Sequence, residues 1–128
     1  MIEMLKAPDH VVAAKLTGTL GAEDYGRMIA EVGARLARFE KIGLMVDLTG
    51  FHDVTLEAAA KDIGYSFGKI MEWRRFPREA IVTDKQWVKG LAKMVGPLIP
   101  FIEVKTFDPG DDVAALAWAA DIEVKPKG

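Results

Sequence analysis

Residues 42–50 read IGLMVDLTG, and this stretch decides the fold. The run from Ile42 to Leu48 is almost continuously apolar, and only Asp47 interrupts it. A short apolar run without polar alternation is typical of a strand that is buried on both faces, as in a parallel sheet covered by helices. We therefore predict a central strand here and arrange the rest of the chain around it.

The residues before this strand predict a hairpin and a helix. Ile2–Leu5 and Val11–Leu20 are separated by the turn-forming residues Ala7–His10, which favours two antiparallel strands. From Ala22 to Phe39, apolar residues recur every three or four positions. Acidic residues open this segment and basic residues close it, as the helix dipole favours. We predict that it forms the first helix.

After the central strand, predicted helices and strands alternate along the chain. In order they are a helix 55–73, a strand 80–83, a helix that Asp84 can cap, a strand 102–107 and a helix 111–122. Such alternation favours parallel strands joined by right-handed crossovers. We predict one α/β domain over residues 1–124, in which helices pack on a mixed sheet that is antiparallel only at its N-terminal hairpin. Residues 125–128 are expected to form a loose tail.

The composition excludes several classes of protein. A length of 128 residues fits one domain, and a net charge of -2 gives no reason to expect nucleic acid as a partner. Because cysteine is absent, disulfides, thiolate catalysis and cysteine-based metal sites are excluded. The first residues show no signal-peptide pattern, and no run approaches the ~20 apolar residues that span a bilayer. We expect a cytoplasmic protein.

Polar residues gather where the predicted central strand ends. Asp47, His52, Asp53 and Thr55 lie in or near this region, which we interpret as a polar loop. Ligands of open α/β sheets bind beyond the carboxyl ends of the strands, so this loop is a candidate site. Asp47 could bind a polar ligand or act as a base. An aspartate in this position more often accepts hydrogen bonds from the backbone amides that follow it, and we favour that role.

The sequence lacks the patterns of a metal, cofactor or catalytic site. His52 and Asp53 could supply two metal ligands, but no third ligand is visible. The one serine, Ser66, lies in a predicted helix and not in a nucleophile elbow. No glycine-rich phosphate loop occurs. We therefore predict a non-enzymatic protein that binds no metal or cofactor.

The stretch Lys85–Phe101 carries the strongest functional signal. Three lysines step by four residues, and the surrounding apolar residues outnumber those that one buried face requires. Lysines beside a tryptophan and surplus apolar residues are typical of segments that lie at a membrane interface. Glycines and prolines weaken the predicted helix. We predict a mobile amphipathic flap over an apolar cavity, with the contact residues Lys85, Trp87, Lys89, Leu91, Lys93, Met94, Leu98, Ile99 and Phe101.

Three interpretations of this flap stay open. Its apolar residues could meet a membrane or a hydrophobic small molecule, such as a lipid. They could instead cover a sheet edge or form an interface with another protein, including a second copy in a homodimer. In the third interpretation they are ordinary core, with Leu91 and Val95 facing the sheet.

The chain also resembles the SpoIIAA-like branch of the STAS superfamily, over residues 1 to about 120. The resemblance is carried by Met1–Glu3, Thr17–Gly18, Met45–Leu48, Ala80–Lys89, Leu98–Pro100 and Val104–Phe107. It implies a mixed sheet with helices packed on it, as in STAS proteins and the related CRAL-TRIO lipid-binding fold. It further implies a protein that associates with the inner face of a membrane or holds a hydrophobic ligand.

The resemblance has an alternative functional implication, which is regulation through protein–protein contact. The better-known STAS proteins, anti-sigma factor antagonists, are switched by phosphorylation of a serine in an Asp-Ser-Ser-Gly turn. The comparable region here, Phe51–Leu56, has no serine or glycine and keeps only the hydroxyl of Thr55. We expect Thr55 to cap a helix rather than accept a phosphate. The alternative is thus a STAS-type interaction domain without the phosphoserine motif.

Overall fold

The computed structural model describes residues 1–54, 75–95 and 102–127. In chain order their elements are β1 (Ile2–Met4), β2 (Val11–Leu20), α1 (Ala22–Leu36), β3 (Gly43–Val54), β4 (Arg78–Val82), α2 (Gln86–Val95), β5 (Glu103–Phe107) and α3 (Asp112–Ala120). The predicted helix 55–73 lies outside the described residues.

The described strands form one mixed sheet in the order β1-β2-β3-β4-β5. The pair β1–β2 is antiparallel, and the pairs β2–β3, β3–β4 and β4–β5 are parallel. In the centre, Met45 of β3 lies opposite Ala13 of β2 and Ala80 of β4. The predicted fold class, with its antiparallel N-terminal hairpin, is confirmed.

The strand β3 is longer than predicted. It pairs with β4 only as far as Asp47, but its pairing with β2 continues to Val54, opposite Leu20. Two register shifts in the β2–β3 pairing, between Lys15 and Thr17 and between Gly18 and Thr19, accompany this extension, and at each of them β3 has one residue more than β2. The prediction that the residues after Leu48 form a polar loop is wrong, because β2 supplies backbone hydrogen-bond partners for them.

Both faces of the sheet are covered, and this explains the unbroken apolar runs in the sequence. Successive residues of a strand point to opposite faces, so β2 serves two cores. On one face, Val12, Ala14 and Leu16 lie in clusters with the buried α1 residues Tyr25, Val32 and Leu36. On the other face, Ala13, Met45, Ala80 and Val82 lie with Ala115 and Ala119 of α3.

The backbone of α3 packs directly against the backbone of β3 at Gly43. Ala119 is completely buried, and a methyl group added at Gly43 would overlap the carbonyl oxygen of Ala119. The imidazole Nε2 of His10 lies 2.8 Å from the carbonyl oxygen of Ala120, and the amide of Gly43 donates to the carbonyl oxygen of His10. The end of α3 is therefore fixed against both β3 and the turn before β2.

Arg75 closes the end of α1. Its guanidinium group donates to the carbonyl oxygens of Leu36, Phe39 and Glu40 at 2.6, 2.9 and 2.8 Å. The last carbonyl groups of a helix have no partner within the helix, and a cation there also interacts favourably with the helix dipole. Arg75 thus joins the segment before β4 to the C-terminal end of α1.

Residues 125–127, which the sequence predicted to be a loose tail, run beside the end of α1. The amide of Glu40 donates to the carbonyl oxygen of Lys125, and the amide of Lys127 donates to that of Arg38. Phe39 and Pro126 form an antiparallel bridge between these hydrogen bonds. Two backbone hydrogen bonds therefore hold this segment against the domain.

Candidate functional site

Asp47 occupies a buried position in β3, with 3% of its surface exposed. Its Oδ1 atom accepts two hydrogen bonds from Thr49, one from the backbone amide at 2.9 Å and one from the hydroxyl at 2.7 Å. Lys15 is its register partner in the neighbouring strand β2. Asp47 thus has the structural role that the sequence favoured, although its amide partner lies in a strand and not in a loop.

A second carboxyl group meets Asp47 from the opposite layer. Asp112, the first residue of α3, lies within hydrogen-bonding distance of Asp47. This hydrogen bond raises the pKa of Asp112 to about 6, and desolvation and the negative charge of Asp47 add to the effect. Burial alone would raise the pKa of Asp47, but its hydrogen bonds with Asp112 and Thr49 and the charge of Lys15 lower it. We call Asp47 and Asp112 the carboxyl pair.

The carboxyl pair is suited to sharing one proton. When Asp112 is protonated it can donate to Asp47, whereas two charged carboxylates at this distance repel each other. The pair therefore joins α3 to β3 in a proton-dependent way.

Within residues 1–54, 75–95 and 102–127, no group of three or more histidine, aspartate or glutamate side chains could hold a metal ion.

The sequence missed Asp112 as a partner of Asp47. The signal that could have found it is the pair Asp111–Asp112 at the start of the last helix, directly after the turn Asp108–Gly110. Acidic residues are common in a first helical turn, however, because the dipole favours them there. Nothing in the spacing shows that this turn faces the middle of β3.

The other polar residues predicted near this site lie further along β3 or outside the described part of the chain. His52 is exposed and Asp53 belongs to β3, beyond the part of the strand that pairs with β4. Thr55 lies outside the described residues. Of the predicted polar set, the structure shows contact with Asp112 for Asp47.

Two lysines of the predicted basic stripe bind within the domain. The ammonium group of Lys85 donates to the carbonyl oxygen of Leu48 at 3.0 Å, where β4 has ended and no longer pairs with β3. Lys89 donates to Asp108 at 3.1 Å. Both lysine side chains are about three-quarters buried. Their main contacts are therefore within the domain, and their predicted contact with a ligand or membrane stays a prediction.

The opposite face of α2 is exposed and partly apolar. Trp87 is 63% exposed and Met94 is 68% exposed, whereas Val88 is buried. Trp87 and Met94 are two helical turns apart, so they lie on one side of the helix. Lys93 is also exposed. We call Trp87, Lys93 and Met94 the outer face of α2, and it is the candidate binding surface.

The remaining predicted contact residues lie beyond what the structure describes. Leu91 belongs to α2, but its side chain is outside the described part of the chain. Leu98, Ile99 and Phe101 are outside it entirely. The prediction of a mobile flap over an apolar cavity therefore stays a prediction.

Comparisons with known proteins agree with this architecture. A family model described as SpoIIAA-like matches residues 11–120. The chain belongs to the SpoIIAA-like family. Among solved structures, it is similar to an uncharacterized protein from Shewanella loihica with a SpoIIAA-like fold. The two are 25% identical, with a TM-score of 0.70, and the match covers 94% of this chain and 93% of that chain. No curated protein matches it.

The SpoIIAA-like fold supports a general binding or regulatory role. The two candidate sites of this SpoIIAA-like domain, the carboxyl pair and the outer face of α2, differ in their exposure to solvent. Asp47 is buried between the sheet and α3 and Asp112 is partly buried, whereas the outer face of α2 is open to solvent. A surface that meets a partner must be accessible, so α2 is the better candidate for binding.

Proposed function

We propose that this SpoIIAA-like protein is a non-enzymatic binding module that attaches reversibly to anionic membranes through the outer face of α2. The observation that carries the proposal is the exposure of Trp87 and Met94 on one side of a helix whose Val88 is buried. Tryptophan beside apolar and basic residues is typical of helices that lie in the membrane interface. The expected location is the inner face of the cytoplasmic membrane.

The energies involved favour reversible attachment. Burial of one large apolar side chain contributes roughly 1.5–3 kcal/mol, and one lysine near an anionic surface contributes about 1 kcal/mol. The outer face of α2 offers two such apolar side chains and Lys93. None of the described helices is both long and apolar enough to cross a bilayer. The sum suits a protein that binds to a membrane and leaves it again.

The exposure of this face supports binding to a membrane rather than binding of a hydrophobic ligand inside the domain. Trp87 and Met94 are turned towards solvent, while a ligand inside the domain would need apolar side chains turned inwards. Asp47 is buried and its Oδ1 atom already accepts two hydrogen bonds from Thr49, so it has little of the open space that a catalytic base needs to reach a substrate. This supports a binding module over an enzyme.

Vesicle co-sedimentation tests the proposal. The wild type should sediment with vesicles of phosphatidylcholine and phosphatidylserine and much less with phosphatidylcholine alone. The double variant Trp87→Gln, Met94→Gln should lose at least about tenfold in affinity, since both apolar side chains no longer enter the interface. Val113→Gln is the matched control, because Val113 is an apolar residue of α3 that is 84% exposed.

Two results would overturn the proposal. The first is a wild type that ignores vesicles of every composition. The second is a homodimer, seen by light scattering, that the double variant converts to monomer without any effect of vesicles. That result would assign the outer face of α2 to contact between two copies. Binding of a partner protein, the regulatory alternative, would likewise depend on Trp87 and Met94 but not on anionic lipid.

A further inference from the structure

A cavity of about 370 Å³ opens at the opposite end of the sheet from the carboxyl pair. Among the described residues, Glu40, Lys41, Arg75 and Lys127 line it. Lys41 and Arg75 come shortly before β3 and β4, so the cavity lies at the amino ends of these parallel strands. Lys127 reaches it from the segment that pairs with the end of α1.

The described lining is strongly positive. Three of its four residues are cations, and the carboxylate of Glu40 is already paired with Lys125, whose ammonium group lies 3.3 Å away. The whole chain carries a net charge of -2. The described part of the lining therefore has the opposite sign to the protein as a whole, and clefts lined by one sign of charge concentrate ions of the other.

The backbone positions of the cations are fixed. Three carbonyl oxygens hold the Arg75 guanidinium group, and the carbonyl oxygen of Arg75 accepts from the amide of Ile42 at 2.8 Å. The amide of Lys127 donates to the carbonyl oxygen of Arg38 at 2.9 Å. An anion that binds here meets charges whose main chain is already ordered, which lowers the entropic cost of binding.

We propose that this cavity binds a phosphate group, carried by a small molecule or by a lipid headgroup. A phosphate monoester carries between one and two negative charges at neutral pH, which suits several cations better than the single charge of a carboxylate does. Lys41 and Lys127 supply the direct contacts, and the charge of Arg75 adds to the field. The volume exceeds that of a bare phosphate, so the organic part of the molecule also has room. The inference is independent of the proposed function because it concerns other residues.

Nuclear magnetic resonance titration with inorganic pyrophosphate tests the site. We expect saturable shifts of the backbone amides of Lys41 and Lys127 and of the Arg75 Nε–H. Lys41→Gln and Lys127→Gln should each weaken binding about tenfold, the expected loss for one charge-assisted hydrogen bond. Arg27→Gln, which removes an exposed cation near the start of α1 and far from the cavity, is the control and should leave the affinity unchanged. Arg75 is left intact because it also closes α1.

A second experiment distinguishes a soluble phosphate compound from a lipid headgroup. Glycerol 3-phosphate and vesicles that contain phosphatidic acid are compared for binding to the wild type and to Lys41→Gln. Dependence on Lys41 with the soluble compound alone assigns a small molecule, and dependence with the vesicles alone assigns a headgroup. The proposal is overturned if no probe produces saturable shifts, or if Arg27→Gln weakens binding as much as Lys41→Gln does.

Discussion

Asp47 and Asp112 meet across the interface between β3 and α3, and the hydrogen bond between their carboxyl groups moves their pKa values in opposite directions. The pKa of Asp112 rises to about 6, while that of Asp47 falls below its usual range. Lys15 lowers the pKa of both residues, and Asp111 raises that of Asp112. We therefore expect the contribution of this hydrogen bond to the attachment of α3 to change at about pH 6.

The first prediction concerns the pH dependence of stability. Between its ordinary pKa of 3.8 and about 6, Asp112 keeps a proton in the folded chain that it releases on unfolding. Its contribution to the free energy of unfolding is therefore full in acid and lost as the pH rises through about 6. Asp47, with its lowered pKa, contributes in the opposite direction and offsets part of this loss. Urea unfolding at several pH values measures the net effect.

Asp112→Asn should remove the contribution of Asp112. The asparagine amide can donate to Asp47 at any pH. We therefore expect the free energy of unfolding of the variant to exceed that of the wild type by on the order of 1 kcal/mol at about pH 8 and to equal it in acid. Asp111→Asn, at the exposed neighbouring position, is the control and should keep most of the wild-type pH dependence. An Asp112→Asn variant with an unchanged pH profile would contradict the shared proton.

The second prediction is that Gly43→Ala destabilises the domain severely. The added methyl group would overlap the carbonyl oxygen of Ala119, so α3 must move away from β3. We expect a loss of about 3 kcal/mol or more in the free energy of unfolding. Gly33→Ala in α1 is the matched control, because its methyl group meets no atom within 4 Å, and it should stabilise by up to about 1 kcal/mol. Equal effects of the two substitutions would refute the close approach.

The third prediction is that Arg75→Ala loosens the end of α1. The carbonyl oxygens of Leu36, Phe39 and Glu40 would lose a charged donor. We therefore expect the free energy of unfolding to fall by about 2–4 kcal/mol. Hydrogen exchange should accelerate most at the amides of residues 37–40. Arg38→Ala is the control, since Arg38 pairs with Asp9 at the surface and should cost less than about 1 kcal/mol. If Arg75→Ala accelerated hydrogen exchange equally throughout the domain, this would argue against a local capping role.

The fourth prediction separates the lysines of α2 and the loop before it. Lys85→Met should lower the free energy of unfolding by about 1–3 kcal/mol, because the carbonyl oxygen of Leu48 loses a charged donor. Lys93→Gln should leave stability within about 0.5 kcal/mol but weaken vesicle binding severalfold. Thermal unfolding and vesicle co-sedimentation measure the two effects. The assignment fails if Lys85→Met leaves stability unchanged, or if Lys93→Gln leaves vesicle binding unchanged.

The sequence predicted elements better than it predicted which elements meet. The run at 42–50 and the hairpin spacing were enough for the mixed sheet, because burial on both faces leaves a clear apolar pattern. The extension of β3 to Val54 was missed, since its polar residues resemble a loop and only β2 explains them. Asp47 was identified, but Asp112 and the carbonyl partner of Lys85 come from remote parts of the chain. Periodicity places a side chain on a helix face and does not say which strand lies opposite.

The order of the strands has a consequence for folding during synthesis. Each described strand pairs with the one made just before it, so the sheet can grow in the direction of translation. The apolar face formed by Ala13, Met45, Ala80 and Val82 is matched by α3, which leaves the ribosome after every one of these strands. A nascent chain stopped before residue 112 would carry this face without the helix that covers it. Such a fragment is the form of this protein most exposed to aggregation and to capture by chaperones.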